Sequence, residues 1–206
     1  QLLYPAVVGD ILDEFGYQNQ FLPSGIKPID PSWVLVGRAM TVHEEDGIDE
    51  ESPFGVMFEA LDNLREDEIY ICNGNLSEFA QWGGLMTTRA RHLKAAGAVL
   101  GGLSRDTKEI LSLGFPVFSS GTYSKDQKVR GHVDSFRRPI SFSNGVVVND
   151  GDLIFGDRDG VLIVPRTIER DVLGKAFAKA TAENHVRSAI ISGMSTVEAF
   201  STYGVM

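Results

Sequence analysis

Ile69-Tyr70-Ile71-Cys72, then Leu85 to Ala95, then Gly97-Ala98-Val99-Leu100-Gly101-Gly102-Leu103, then Asp106-Thr107-Lys108-Glu109-Ile110-Leu111, then Phe115-Pro116-Val117-Phe118: this run reads as strand, helix, strand, helix, strand. The strands are short and apolar without alternation, as strands covered on both faces are. Their regular exchange with helical segments predicts a largely parallel α/β core. Before this run, Val7, Val8, Ile11, Leu12 and Phe15 have helical spacing, with Gly16 as a stop, which predicts a helix over 5–16. Residues 33–42 read as a β-branched strand and residues 54–64 as a helix.

After the run the texture changes. Short strands are expected over 133–143, 146–148, 152–155 and 161–164. Asn149-Asp150-Gly151-Asp152 and Asp157-Arg158-Asp159-Gly160 separate them. Asp157 and Asp159 resemble ligands, but Asx residues followed by glycine are first of all turn formers. Residues 167–187 form one long amphipathic helix (Ile168, Val172, Leu173, Ala176, Phe177, Ala180), and 195–203 a last short one. The expectation is one α/β domain over 1–206, with a helical extension from about 165 that packs on a neighbouring subunit.

With 43% hydrophobic and 23% charged residues, the 206-residue chain has an ordinary globular composition. Its formal net charge of −9 argues against a nucleic acid as partner. Part of that charge sits in His43-Glu44-Glu45-Asp46-Gly47-Ile48-Asp49-Glu50-Glu51, which reads as a solvated loop, with cation binding by a pair of its acids as the alternative. No run is apolar enough to span a bilayer, so no membrane is expected. Gln1-Leu2-Leu3-Tyr4-Pro5-Ala6 lacks the pattern of a signal peptide. The one cysteine, Cys72, cannot form an internal disulfide and reads as a buried strand residue rather than a nucleophile. A cytoplasmic protein is expected, which also discounts the sequon Asn75-Leu76-Ser77.

Two elements carry chemistry. Arg105-Asp106 stands at the carboxyl end of an apolar strand, where open α/β sheets gather ligands. Asp106 and Glu109 are at i and i+3, on one face of a helix that starts there. A structural account is open at this point: Asp106 as N-cap, Glu109 as its capping-box partner, Arg105 in a surface ion pair. The second element is Gly83-Gly84-Leu85-Met86, a double glycine before a helix. It reads either as a tight turn or as a place where a ligand meets free N–H groups. Neighbouring parallel strands would put both elements at one cleft. A hard oxygen ligand, an arginine and exposed amides suit a 2-oxo acid chelated to Mg²⁺ or Mn²⁺, with the enolate of a breaking carbon–carbon bond stabilised there. Zinc-type His/Cys spacing, a P-loop, GxGxxG and GxSxG are all missing from the sequence.

Gly84, twenty intervening residues, Arg105-Asp106, two residues and Glu109 resembles the G-x20-R-D-x2-E/D signature of class II pyruvate aldolases of the RraA-like superfamily. Val148 to Val161 is similar to that family's V-x-P-G-D-L-I-x-G-D-x-D-G-V segment, and Gly114 to Phe118 to its G-[FL]-P-V-F strand. The resemblance implies a three-layer, swivelling β/β/α-type fold and homotrimers or homohexamers with active sites between subunits. It implies Mg²⁺ or Mn²⁺ on Asp106, Arg105 on the substrate's oxo oxygen, and backbone amides around Gly83, Gly84, Leu85 and Met86 on its carboxylate. It also implies a small 2-oxo acid substrate: 4-hydroxy-4-methyl-2-oxoglutarate or 4-carboxy-4-hydroxy-2-oxoadipate for cleavage, oxaloacetate for decarboxylation. Some relatives carry an acid where this chain has Gly84; Glu109 is the expected substitute, as a metal ligand directly or through water. An acid from a neighbouring subunit is also implied, and Glu183 is the candidate, with a solvated helix face as the plainer reading. The rival reading is a non-catalytic regulator of the ribonuclease E type, binding RNA-processing proteins.

Overall fold

A computed structural model describes residues 3–47, 49–74 and 78–204. The Asn75 sequon and Ile48 lie outside the described residues. Helix α1 (Pro5–Glu14) is followed by β1 (Lys27–Pro28), the long β2 (Leu35–Asp46), α2 (Met57–Asp62) and β3 (Glu68–Cys72). The site-bearing stretch is β4 (Ala80–Trp82), α3 (Gly84–His92), β5 (Gly97–Leu100), β6 (Leu103–Ser104), α4 (Thr107–Leu113) and β7 (Val117–Ser119). Then come β8 (Gly131–Phe136), β9 (Ile140–Ser141), β10 (Val147–Val148), β11 (Leu153–Asp157), β12 (Gly160–Val164), α5 (Glu169–Ile191) and α6 (Thr196–Tyr203).

The main sheet runs β1-β7-β5-β3-β2-β11-β12. β2, β3, β5 and β7 are parallel, as the strand–helix alternation requires; β1, β11 and β12 are antiparallel additions. β2 is long enough to take two antiparallel partners in succession, β11 beside Leu35–Arg38 and β8 beside Val42–Asp46. β1 touches β11 and β12 at the far end of the strand order, so the sheet nearly closes on itself.

Strand parity sorts the core. Ile69, Ile71, Val99, Ile154, Val161 and Ile163 point inward to one cluster. Tyr70, Cys72, Ala98 and Leu100 point the other way, beneath α2, α3 and α4. Leu153, Phe155, Leu162 and Val164 pack against Val7, Val8, Ile11 and Leu12 of α1 and Val172, Ala176 and Ala180 of α5. Both faces are therefore covered, which is why these strands read as continuous apolar runs.

Several boundaries move. The acidic run is not a loop throughout: His43–Asp46 is the end of β2, and Glu44 is buried. Strand pairing with β8 and the period-2 alternation turn Glu44 inward between the half-buried His43 and the exposed Glu45, which a charge count along the sequence hides. The strand expected over 133–143 breaks at Arg137, which has φ 56° and bonds Glu68, Asp150 and the Asn63 carbonyl. The strand expected over 97–103 divides into β5 and β6, and α5 runs on to Ile191. Cys72 is buried in β3 as expected, and burial raises its thiol well above the ordinary range. Asp157 and Asp159 form the expected turn: the Asp159 N–H donates to Asp157 Oδ1 at 2.8 Å between β11 and β12.

Candidate active site

β4 and β6 pair in parallel beyond the ends of β3 and β5, with Trp82 beside Ser104. The residues that follow each strand therefore emerge side by side: Gly83-Gly84 from one, Arg105-Asp106 from the other. The Arg105 N–H donates to the Trp82 carbonyl at 2.9 Å. Trp82 is buried, stacked 6.2 Å from Phe115, and its indole N–H donates to Thr87 Oγ1 at 2.7 Å. Thr87 in turn bonds the Gly83 carbonyl, so the turn and the first turn of α3 are pinned to the core.

Asp106 sits at the N-cap of α4 in the left-handed region (φ 59°), without a side-chain cap bond. Aspartate is among the few non-glycine residues that tolerate this conformation. It turns the carboxylate away from its own helix and toward the double glycine. Asp106 Oδ2 accepts from the Gly84 N–H at 3.0 Å and lies 3.8 Å from Arg105 Nε. The capping box that sequence spacing left open here is absent; the one at Ser195 and Glu198, on α6, is formed.

Acidic side chains stand where each glycine's Cβ would be. A Cβ at Gly83 would lie 2.6 Å from Asp106 Oδ2, and a Cβ at Gly84 only 2.1 Å from Glu109 Oε2. Both carboxylates thus converge on the backbone of one turn. Glu109 occupies the space that a side chain at position 84 would fill.

Arg105 is fixed by a residue that sequence reading missed. Its Nη1 lies 2.8 Å from Asp126 Oδ1. The loop carrying Asp126 runs along both short strands: the Ala80 N–H donates to the Lys125 carbonyl and the Tyr123 N–H to the Ser104 carbonyl, both at 2.8 Å. Gln81 and Gln127 were missed too. Gln81 lines the cleft and holds Gly102 N–H (2.8 Å) and the Asn73 carbonyl (2.7 Å); Gln127 is buried in the cleft wall and its Nε2 has no hydrogen-bond partner. Gln81, inside the three-residue β4, and Gln127, in a polar loop, show no periodicity in sequence; only the pairing of β4 with β6 brings them in.

Asp106 borders three openings. One of 240 Å³ is walled by Phe54, Met57, Phe58, Leu85, Met86 and Gln127 together with Arg105 and Asp126. One of 420 Å³ adds Thr122, Tyr123 and Ser124, and the third carries Glu109 and Ser112. Gly84, Leu85 and Met86 begin α3, where helix geometry leaves N–H groups without intrahelical acceptors. No thiol or imidazole lines these openings among the described residues, so the donors are hard oxygens, which fit Mg²⁺ or Mn²⁺. The carboxylates lining these openings are Asp106, Glu109 and Asp126, and Asp126 is already paired with Arg105. A separate group, His43, Glu45 and Asp134 on β2 and β8, has ligand atoms within 4.8 Å of one another at the surface.

Glu183 is elsewhere in this chain. It accepts a short hydrogen bond from Tyr4 Oη, pushing that phenol up to about 12, and lines a groove with Val186, Arg187 and Ile190 of α5.

The family model RraA-like (Aldolase/RraA) matches residues 6–163. The chain belongs to the RraA-like family. Among relatives, it is 31% identical to Protein DlpA of Legionella pneumophila over 96% of its own length, but spans only 32% of that protein. It is 34% identical to a protein of Halalkalibacterium halodurans named "Putative 4-hydroxy-4-methyl-2-oxoglutarate aldolase", covering 94% of this chain and 87% of the relative. Streptomyces coelicolor RraAS2, an unusual member of the RNase ES inhibitor RraA family, matches in fold with a TM-score of 0.80 at 22% identity, over 90% of this chain and 93% of that one. The RraA-like fold expected from the sequence is the fold observed, with its C-terminal helices.

Proposed function

We propose that this chain is a divalent-metal-dependent carbon–carbon lyase of small 2-oxo acids, releasing pyruvate by retro-aldol cleavage of a 4-hydroxy-2-oxo acid or by decarboxylation of oxaloacetate. One observation carries the reading: Asp106 leaves its own helix uncapped and reaches the Gly84 N–H, beside Arg105 and in an open cleft. A residue serving only α4 would not adopt that geometry. The relatives' name for an aldolase activity supports the same class.

In this mechanism the Leu85 and Met86 N–H groups hold the substrate carboxylate at the positive end of α3. Arg105 keeps one nitrogen on Asp126 and offers its others to the oxo oxygen; a guanidinium has five donors. When bound on Asp106, the divalent ion supplies Lewis-acid stabilisation of the charge that develops on that oxygen. In the aldol case the C4 hydroxyl gives up its proton and becomes a carbonyl. The C3–C4 bond breaks with its electron pair moving into the enolate, and C3 is then protonated to give pyruvate. Glu109, which faces Gly84, would hold the water that exchanges these protons. Assembly as trimers or hexamers, with Glu183 reaching a neighbour's site, belongs to the same proposal.

The test is pyruvate release from oxaloacetate and from 4-hydroxy-4-methyl-2-oxoglutarate by purified protein, before and after EDTA and after Mg²⁺ is restored. Release that EDTA stops and Mg²⁺ restores supports the lyase. Metal-independent release, or none, removes it; a chain that only binds RNA-processing proteins would give none.

A further inference from the structure

Two of the openings beside Asp106 differ in what they offer a ligand. The one of 240 Å³ has Phe54, Met57 and Phe58 in its wall and meets the start of α3 at Gly83, Leu85 and Met86. The one of 420 Å³ is lined by Thr107, Thr122, Tyr123 and Ser124 besides Arg105 and Asp106. Four hydroxyl-bearing side chains therefore border one space, and among the described residues none of these hydroxyls is bonded within the chain. Asp106, the proposed ligand of the ion, is the one carboxylate of that lining. Asp126 lines the other opening and is paired with Arg105 at 2.8 Å. Main-chain bonds hold the hydroxyl-bearing loop in place. The Ser104 N–H donates to the Gly121 carbonyl at 3.0 Å, and the Tyr123 N–H to the Ser104 carbonyl at 2.8 Å. The loop is thus seated along β6, next to the Arg105-Asp106 pair that follows this strand.

We infer that the hydroxyl-lined opening is the subsite for the far carboxylate of a 4-hydroxy-2-oxo diacid, held by the hydroxyls of Thr122, Tyr123 and Ser124. The inference rests on the lyase reading for the reacting end and adds where the rest of the substrate lies. With its first carboxylate on the α3 amides, the three-carbon pyruvyl end occupies the smaller, apolar-walled opening. C4 and its substituents then pass Asp106 and enter the larger one. Arg105 borders both openings, so a guanidinium with one nitrogen on Asp126 still has donors for the ligand between them. Each hydroxyl turns to suit its acceptor and supplies one O–H, and a carboxylate accepts several such bonds. The same carboxylate placed against Phe54, Met57 and Phe58 would lose water without gaining those donors, which is costly.

Binding is measured by titration calorimetry on the full chain with Mg²⁺, using pyruvate, 2-oxoglutarate and 2-oxopentanoate. The last two share a five-carbon chain and differ in the far carboxylate; neither has the C4 hydroxyl that retro-aldol cleavage needs, so both persist during the titration. 2-Oxoglutarate is expected to bind about tenfold more tightly than 2-oxopentanoate, the scale of hydrogen bonds to a charged group. Thr122→Val, Tyr123→Phe and Ser124→Ala, combined in one variant, remove the hydroxyls at exposed positions and leave the main-chain bonds of the loop intact. That variant should bring the ratio close to one and bind pyruvate as the wild type does. If pyruvate binds but the wild type does not prefer 2-oxoglutarate, the far-carboxylate subsite is wrong while the lyase reading stands. If the combined variant keeps the preference, or loses pyruvate to the same degree as 2-oxoglutarate, these hydroxyls do not hold the far carboxylate and the inference also fails. If pyruvate shows no Mg²⁺-dependent binding, the reading beneath it falls and takes the inference with it.

Discussion

Gly84→Ala separates stability from activity. The new Cβ would sit 2.1 Å from Glu109 Oε2 and 2.4 Å from its Cδ. Glu109 is exposed, so its carboxylate can swing away at little cost. Gly84 is the first residue of α3 and its φ is not positive, so alanine meets no backbone strain there. Helix propensity alone favours alanine by up to about 1 kcal/mol in a helix interior, and by less at a first turn. The variant should therefore unfold within about 2 °C of the wild type. Its kcat should nevertheless fall by about 10- to 100-fold, the usual effect of misplacing a group that orients the metal environment. The assay is pyruvate release under saturating Mg²⁺, paired with thermal unfolding. A double-mutant cycle with Glu109→Ala decides the cause: if Gly84→Ala acts through Glu109, it adds little once that carboxylate is gone. Full activity in Gly84→Ala, or effects that multiply in the double variant, would refute the placement of Glu109.

Asp106→Asn should keep the fold, because asparagine tolerates the left-handed φ and still accepts from Gly84 N–H, yet lower Mg²⁺-dependent pyruvate release by at least about 100-fold. Asp126→Ala frees Arg105 from its 2.8 Å anchor and should reduce kcat/KM by about tenfold while Asp126→Asn retains more; Arg105→Lys should be severe, since a point charge cannot keep Asp126 and substrate in one planar fork. Stability should depend on pH through Glu44, whose carboxyl is pushed up to about 7 by burial, with the Asp46 charge adding to the rise and the Cys72 and Gln81 contacts opposing it. Its folded value lies above the unfolded 4.5, so the folded state holds the proton more tightly: stability is greatest below pH 4.5 and declines by roughly 3 kcal/mol as pH rises through 7. Other carboxylates act in the opposite sense, so the readout is the difference in unfolding free energy between wild type and Glu44→Gln from pH 5 to 8, which should change by a few kcal/mol if Glu44 titrates this way and stay flat if it does not.

The parallel core is legible in the sequence because both-faces-buried strands such as Ile69–Cys72 are unbroken apolar runs and Gly-Gly or Gly-Phe-Pro steps punctuate them. Arg105, Asp106 and the double glycine are legible as two elements, since charges after an apolar strand must meet water or a ligand. Their conjunction is also foreseen, but its cause is not: β4 and β6 are three and two residues long, too short to show any period. Asp126 and Gln127 are hidden for a similar reason. They lie in a polar loop that is held along β4 and β6 by backbone hydrogen bonds, and main-chain bonding leaves no mark on residue choice. Glu44 is hidden by its neighbours, because one inward carboxyl among outward ones looks like any charged run until the pairing partner is known. The αL conformation of Asp106 is likewise invisible, though it decides where the carboxylate points.

The account depends most on Asp106 holding a divalent ion beside Arg105. Mn²⁺ binding followed by electron paramagnetic resonance on wild type, Asp106→Asn and a His43→Ala control tests this directly. The account predicts a site that pyruvate perturbs, that Asp106→Asn abolishes and that His43→Ala leaves intact. Mn²⁺ bound undiminished by Asp106→Asn, or lost with His43→Ala, would contradict it.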